Sequence, residues 1–152
     1  MGCSHSFTKE QEMVLRIHND KRKAHSSSSL KLNEDLCKLA ENYIDKLIKD
    51  EIFSDNIYKD MFLGENVYIK KGKLDINEMC DSWYNEKNNY EKNPNKYQKN
   101  SGHFTQMIWK NTKEIGFGCK ILADISYAVV YYYPPGNTLG EFENNVLFPK
   151  TD

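Results

Sequence analysis

From Leu36 to Ile48, apolar side chains return at every third or fourth place. Leu36, Leu39, Ala40, Tyr43, Ile44, Leu47 and Ile48 share one side of an α-helix, and the charged residues fall on the other. Asn33 stands where the N-cap of that helix belongs. A stripe this regular is core, so the helix must lie against a second layer. Further along, the pattern changes to that of a sheet. Ile115 to Leu122 and Tyr127 to Tyr133 are rich in β-branched and aromatic residues, and they read as two strands joined by a hairpin turn over Ala123–Ser126. Pro134-Pro-Gly-Asn137 stops the second strand. Element order alone predicts an α+β fold and nothing finer.

Other helices carry weaker versions of the same signal. Thr8 followed by Gln11 forms a capping-box pattern, opening a helix to about His25 with Met13, Val14 and Ile17 as a modest apolar face. His18 and His25 have no carboxylate or cysteine partner at ligand spacing, which predicts solvent-side or packing roles. Ser26 to Ser29 reads as a loop, and Asp50 to Leu63 as a longer mixed one. Asp75 with Glu78 caps a helix that places Ile76, Met79, Cys80 and Trp83 on one face. The next position of that stripe is Glu86. A carboxylate there is costly unless it is paired, or unless the helix ends and lets it reach water. Asn85 to Asn100, rich in Asn and Lys and holding Pro94, reads as a solvated loop whose lysines could touch anionic headgroups. The tail through Phe142, Val146 and Phe148 is expected to pack back on the core.

The chain's 152 residues suffice for one domain, read as residues 7–150 behind a flexible tail at 1–6. A net charge of -1, from 21 basic and 22 acidic side chains, gives no electrostatic case for nucleic acid. No apolar run of seven or more opens the chain, and no stretch approaches the length of a membrane span, so neither a secretory signal nor a spanning helix is expected. Met1-Gly-Cys-Ser-His-Ser6 instead fits the N-myristoylation pattern, with Gly2 as acceptor and Cys3 beside it as a palmitoylation site. Two chains would be needed for stable anchoring, since one gives only marginal membrane residence. Cys37 and Cys80 lie on apolar helix faces, and the four cysteines do not form a disulfide framework. With no Asn-x-Ser/Thr sequon, the chain reads as intracellular.

The least generic run is Ser101-Gly-His-Phe-Thr-Gln-Met-Ile-Trp-Lys-Asn-Thr112. Phe104, Met107 and Ile108 fall at i, i+3 and i+4, which predicts a short helix burying all three, with Thr105 and Gln106 on its polar flank. His103 stands at the helix entrance. This string resembles the signature of the CAP superfamily (cysteine-rich secretory proteins, antigen 5, pathogenesis-related 1). Gly64-Glu-Asn66, Trp83-Tyr-Asn-Glu86 and Val129-Val-Tyr-Tyr-Tyr-Pro-Pro-Gly-Asn137 resemble further family stretches in the right order, although the last lacks the cysteine usual in secreted members. The likeness runs from about Phe7 to Pro149 and is strongest to the Golgi-associated, non-secreted branch.

The resemblance implies a three-layer α-β-α sandwich with a mainly antiparallel sheet. It also implies a cleft in which two histidines and two glutamates hold a divalent ion such as zinc. Carried over, the glutamates are Glu65 and Glu86 and the second histidine is His103. Ser54 occupies the place of the first histidine, and no histidine lies between His25 and His103. Zinc favours imidazole, thiolate and carboxylate in a tetrahedral set, so its binding is expected to be weakened or lost. The reading that follows is a non-enzymatic protein on the cytoplasmic face of Golgi or plasma membranes. It would bind sterol, fatty acid, anionic phospholipid or protein partners, with self-association to a homodimer implied for acylated members. The alternative is a metal-assisted hydrolase or protease using Glu65, Glu86 and His103.

Overall fold

The computed structural model describes residues 6–50 and 62–149. Thr8 caps the first helix, α1 (Lys9–Ala24), with both halves of the capping box formed: Gln11 N–H donates to Thr8 Oγ1 and Thr8 N–H to Gln11 Oε1. After the serine loop come the two-residue strand β1 (Lys31–Leu32) and the helix α2 (Glu34–Asp50), where Asn33 accepts from Leu36 N–H at 3.1 Å. Local side-chain caps of this kind satisfy donors that a helix start leaves free, which is why they are readable from short stretches.

Gly64–Lys71 forms a strand, β2, that the sequence pattern does not suggest. It is followed by α3 (Ile76–Tyr84), α4 (Lys87–Lys92), a 3-10 turn at Lys99–Ser101 and α5 (Gly102–Ile108). The strands β3 (Glu114–Leu122) and β4 (Ile125–Tyr133) and the short α6 (Phe142–Asn145) complete the chain. The hairpin turn is tighter than expected. Only Ala123 and Asp124 lie outside the strands, both with left-handed φ (51° and 60°), as two-residue hairpin loops of matching twist require.

The sheet order is β1-β3-β4-β2. All pairings are antiparallel except the short β1–β3 contact, so the sheet is mainly antiparallel but mixed. β4 lies between β2 and β3, and its alternation divides the core. Val129 and Tyr131 face α2 with Leu36, Ala40, Tyr43, Ile44 and Leu47. Ala128, Val130 and Tyr132 face the opposite way, towards α1, α3 and α5. Helices therefore cover both faces, and the architecture is the three-layer α-β-α sandwich.

Two segments differ from their sequence reading. The Asn/Lys-rich run at 85–100 is part helix and is anchored by Tyr90, which is fully buried and accepts from Asn95 N–H at 2.9 Å. In α1 the buried stripe is not Met13, Val14 and Ile17, which apart from Val14 are only partly covered, but Gln11, Val14, His18 and Arg22. Burial of three polar side chains is tolerated because each has partners, as described below.

Candidate functional site

α3 ends at Tyr84, short of the predicted continuation to Glu86, which lies one residue beyond the C-cap, Asn85, and serves as the N-cap of α4. The carboxylate is paired rather than free. Glu86 Oε1 accepts the backbone N–H groups of His103 (3.0 Å) and Phe104 (3.3 Å) at the start of α5. Its Oε2 accepts from His103 Nδ1 at 2.8 Å. Anionic oxygens at a helix start satisfy donors that would otherwise be orphaned, and such charge-assisted bonds are among the stronger ones. With Nδ1 donating, a neutral His103 ring keeps its lone pair on Nε2. The ring stacks on Trp83, with centroids 5.7 Å apart and planes 12° from parallel.

Asn66, on β2, holds the other side of this helix entrance. Its Nδ2 donates to the His103 carbonyl at 3.2 Å and to the Tyr132 hydroxyl at 3.1 Å. Tyr132 in turn meets His18 Nε2 at 2.6 Å, and His18 Nδ1 lies 2.9 Å from the Val14 carbonyl. A carbonyl only accepts, so His18 Nδ1 carries the proton and Nε2 accepts from Tyr132. Every donor in the chain Asn66–Tyr132–His18–Val14 thus has one direction. Burial pushes His18 down to about 4 and Tyr132 well above the usual phenol range, so both are neutral near pH 7.

The rest of the signature ties α5 to two other stretches. Gln106 accepts from Gly136 N–H at 2.8 Å and donates to Thr112 Oγ1 at 3.2 Å. Its carboxamide occupies the space a side chain at Gly64 would need, 2.0 Å from an ideal Cβ there. Thr105 donates to Asn137 Oδ1 at 2.5 Å, and Asn137 returns a bond to the Gly102 carbonyl. Thr105 and Gln106 are therefore buried, not a polar flank. The C-terminal end of α5 is held by Arg22. Its guanidinium donates to the carbonyls of Met107 (3.1 Å), Trp109 (2.8 Å) and Thr112 (3.0 Å), and its Nε to Ser28 (2.8 Å). Burial lowers Arg22 to about 10, which leaves it charged near pH 7 beside the negative end of the helix.

Glu65 is placed differently. In the β2–β4 register it pairs with Tyr131, on the α2 side, whereas its neighbour Asn66 faces α5. Burial raises its carboxyl above the usual range, a Tyr131 hydrogen bond opposing this in part, and Oε2 has no hydrogen-bond partner among the described residues. The structure thus brings Glu86 and His103 together and leaves Glu65 across the sheet. Gly2, Cys3 and Ser54 lie outside the described residues. His25 is buried between Tyr84 and the Leu147 carbonyl, so both α1 histidines pack rather than face solvent. Arg22, His18, Tyr132 and the roles of Asn66 and Gln106 were missed by sequence reasoning. A visible signal was the spacing Gln11, Val14, His18, Arg22, which is itself a helical stripe.

Residues 15–133 match the CAP: Cysteine-rich secretory protein family. The chain belongs to this family. Among curated relatives, the human Golgi-associated plant pathogenesis-related protein 1 is 37% identical over 99% of this chain and 99% of its own length. Protein PRY2 of Saccharomyces cerevisiae is 32% identical over 88% of this chain, which spans 40% of that longer protein. Among solved structures, NaASP2 with Zn2+ superposes with a TM-score of 0.72 at 20% identity, covering 99% of this chain and 92% of that one. This CAP chain is thus pathogenesis-related 1-like, with a Golgi-associated homologue of matching length.

Glu65, Glu86 and His103 do not form a metal-holding group among the described residues. Both Glu86 oxygens accept hydrogen bonds at the α5 entrance, Glu65 faces the other layer, and among the described residues no group of three or more His, Cys, Asp or Glu side chains is arranged to hold a metal.

Proposed function

We propose that this CAP protein works without catalysis, as a tethered module that binds lipids or protein partners at a membrane surface. The observation that carries the reading is the use made of Glu86. A general base or metal ligand needs an available lone pair, and Glu86 already uses three of its four as an acceptor: Oε1 takes the His103 and Phe104 N–H groups and Oε2 takes His103 Nδ1, so the pair with His103 acts as a clamp. No helix among the described residues is long and apolar enough to cross a membrane, so attachment falls to the acylation pattern at Gly2 and Cys3. The length and identity shared with a Golgi-associated relative support a place on the cytoplasmic face of Golgi or plasma membranes. The bound lipid would be a sterol, a fatty acid or an anionic phospholipid, and a homodimer or other protein partner would use the same membrane-bound form.

Flotation tests the proposal. Protein coexpressed with N-myristoyltransferase should rise with vesicles containing phosphatidylserine or sterol, and Gly2→Ala should remain at the bottom. The competing reading is a metal-assisted hydrolase, favoured by the His103 edge, which is partly open to solvent, and by the zinc in the NaASP2 structure. Sub-micromolar zinc binding that disappears in His103→Ala would overturn the present proposal.

A further inference from the structure

A groove unrelated to the His103 clamp opens at the hairpin end of the sheet. Leu74 and Ile76 at the lead into α3, Cys119 and Ile121 of β3, Ser126 of β4 and Glu10 of α1 line it. Its volume is about 350 Å³, within the range of small-ligand sites. A second hollow bounded by Met13, Leu74 and Ile76 adjoins it along α1. Most of the lining surface is apolar, although Glu10, Lys73, Asp75 and Lys120 bring charged groups to the walls.

We propose that this groove holds the acyl chain of the molecule's own N-terminus when the protein is away from a membrane. The inference rests on acylation of Gly2, as proposed above. Three observations place that chain here. The first turn of α1 forms one wall, and Gln11 Nε2 donates to the Phe117 carbonyl at 3.2 Å, pinning the start of α1 two residues from Cys119. Ser6, Phe7 and Thr8 lead directly into that turn, with Phe7 half-buried, so the N-terminal segment joins the body beside the groove. From Gly2 to Ser6, the first described residue, the backbone spans at most about 14 Å, and an acyl group on Gly2 adds its own length to that reach.

The arrangement makes membrane binding a competition. A single myristoyl chain binds bilayers marginally and reversibly, so even a modest affinity for the groove shifts the population towards a soluble form. A second chain on Cys3 would add bilayer affinity and favour the membrane-held form. Acylation at Cys3 would then switch the protein from a sequestered to a membrane-held state.

Cys119 provides the readout, because it is exposed on the groove whereas Cys37 and Cys80 are buried. The full chain carrying Cys3→Ser is prepared with and without N-myristoyltransferase, and its acylation is checked by intact mass. A maleimide should label Cys119 about ten-fold more slowly in the acylated form, as for a groove filled nine-tenths of the time. Phosphatidylcholine–phosphatidylserine vesicles should restore the faster rate. Ile121→Glu, at a side chain 54% exposed and thus harmless to folding, should also restore it and raise the vesicle-bound fraction. Equal labelling of the two forms, with the acyl mass confirmed, overturns the inference alone. An absent acyl mass removes the Gly2 tether as well and overturns both proposals.

Discussion

On the α2 face the sheet meets Leu36, Ala40, Tyr43, Ile44 and Leu47, and little else is needed to hold the helix there. The helix backbone presses directly on β3: an ideal Cβ at Gly116 would lie 2.2 Å from the Leu36 carbonyl carbon. On the opposite face the sheet presents Asn66 and Tyr132 and meets His18, Arg22 and Gln106, all buried and all hydrogen-bonded. Apolar packing is non-directional and suffices where a helix needs only to be covered. Directed hydrogen bonds fix positions more narrowly, and they occur on the face that must present His103 and the entrance of α5 in one geometry. The cost of that face is its sensitivity, since removing one partner strands others in a dry interior.

The contrast can be tested from its largest expected consequence down. Arg22→Ala removes four hydrogen bonds and leaves three buried carbonyls without that donor, and should lower unfolding free energy by about 4 kcal/mol in urea melts. Arg22→Lys should recover little of it, because an ammonium cannot span the same fork of carbonyls. A loss below about 1 kcal/mol would mean that packing holds both faces alike.

Next is the acid side. His18 is held down to about 4 against 6.5 in a free chain, so the unfolded protein takes up a proton that the folded one resists. Stability is therefore full above the unfolded value and declines as pH falls towards the folded one, by about 3 kcal/mol in total. His25 is lowered too, by burial, so the His18 share is the difference between wild type and His18→Gln across the same melts. A parallel pH dependence in the two proteins would remove His18 from the account.

Gly116→Ala tests the apolar face. Its methyl group would meet helix backbone that cannot rotate away, and about 2 kcal/mol should be lost, with α2 displaced. Smallest of all is Asp45→Asn, which breaks an exposed 3.0 Å pair with Lys120 outside both cores. It should change stability by about 0.3 kcal/mol or less, and a larger effect would show the rim of the α2 layer to matter.

Several features were legible in the sequence because their causes are local. The Thr8, Asn33 and Asp75 caps each act within one helical turn, and the α2 stripe reports a single buried side. The α3 stripe pointed to Glu86 as a carboxylate that must be paired or reach water, and the structure pairs it with His103. Less was legible where partners are distant. β2 reads as polar because it is an edge strand with few fully buried positions, and its pairing to β4 crosses some sixty residues of chain. Tyr90 was hidden by the asparagines and lysines around it.

By itself, then, the sequence determined the starts of α1, α2 and α3, the hairpin, the apolar layer under α2, the family signature and the absence of histidine at position 54. Each is a statement about neighbours in the chain or about residue identity. Only the tertiary structure decided which side of the sheet each signature residue serves. A strand alternates its faces residue by residue, so the adjacent Glu65 and Asn66 are sent to different layers once β2 pairs with β4. The same folding brings Glu86, His103 and Asn66 to one helix entrance and aims Arg22 at the far end of that helix. Hydrogen bonds join groups by distance in space, and that distance exists only after the layers have closed.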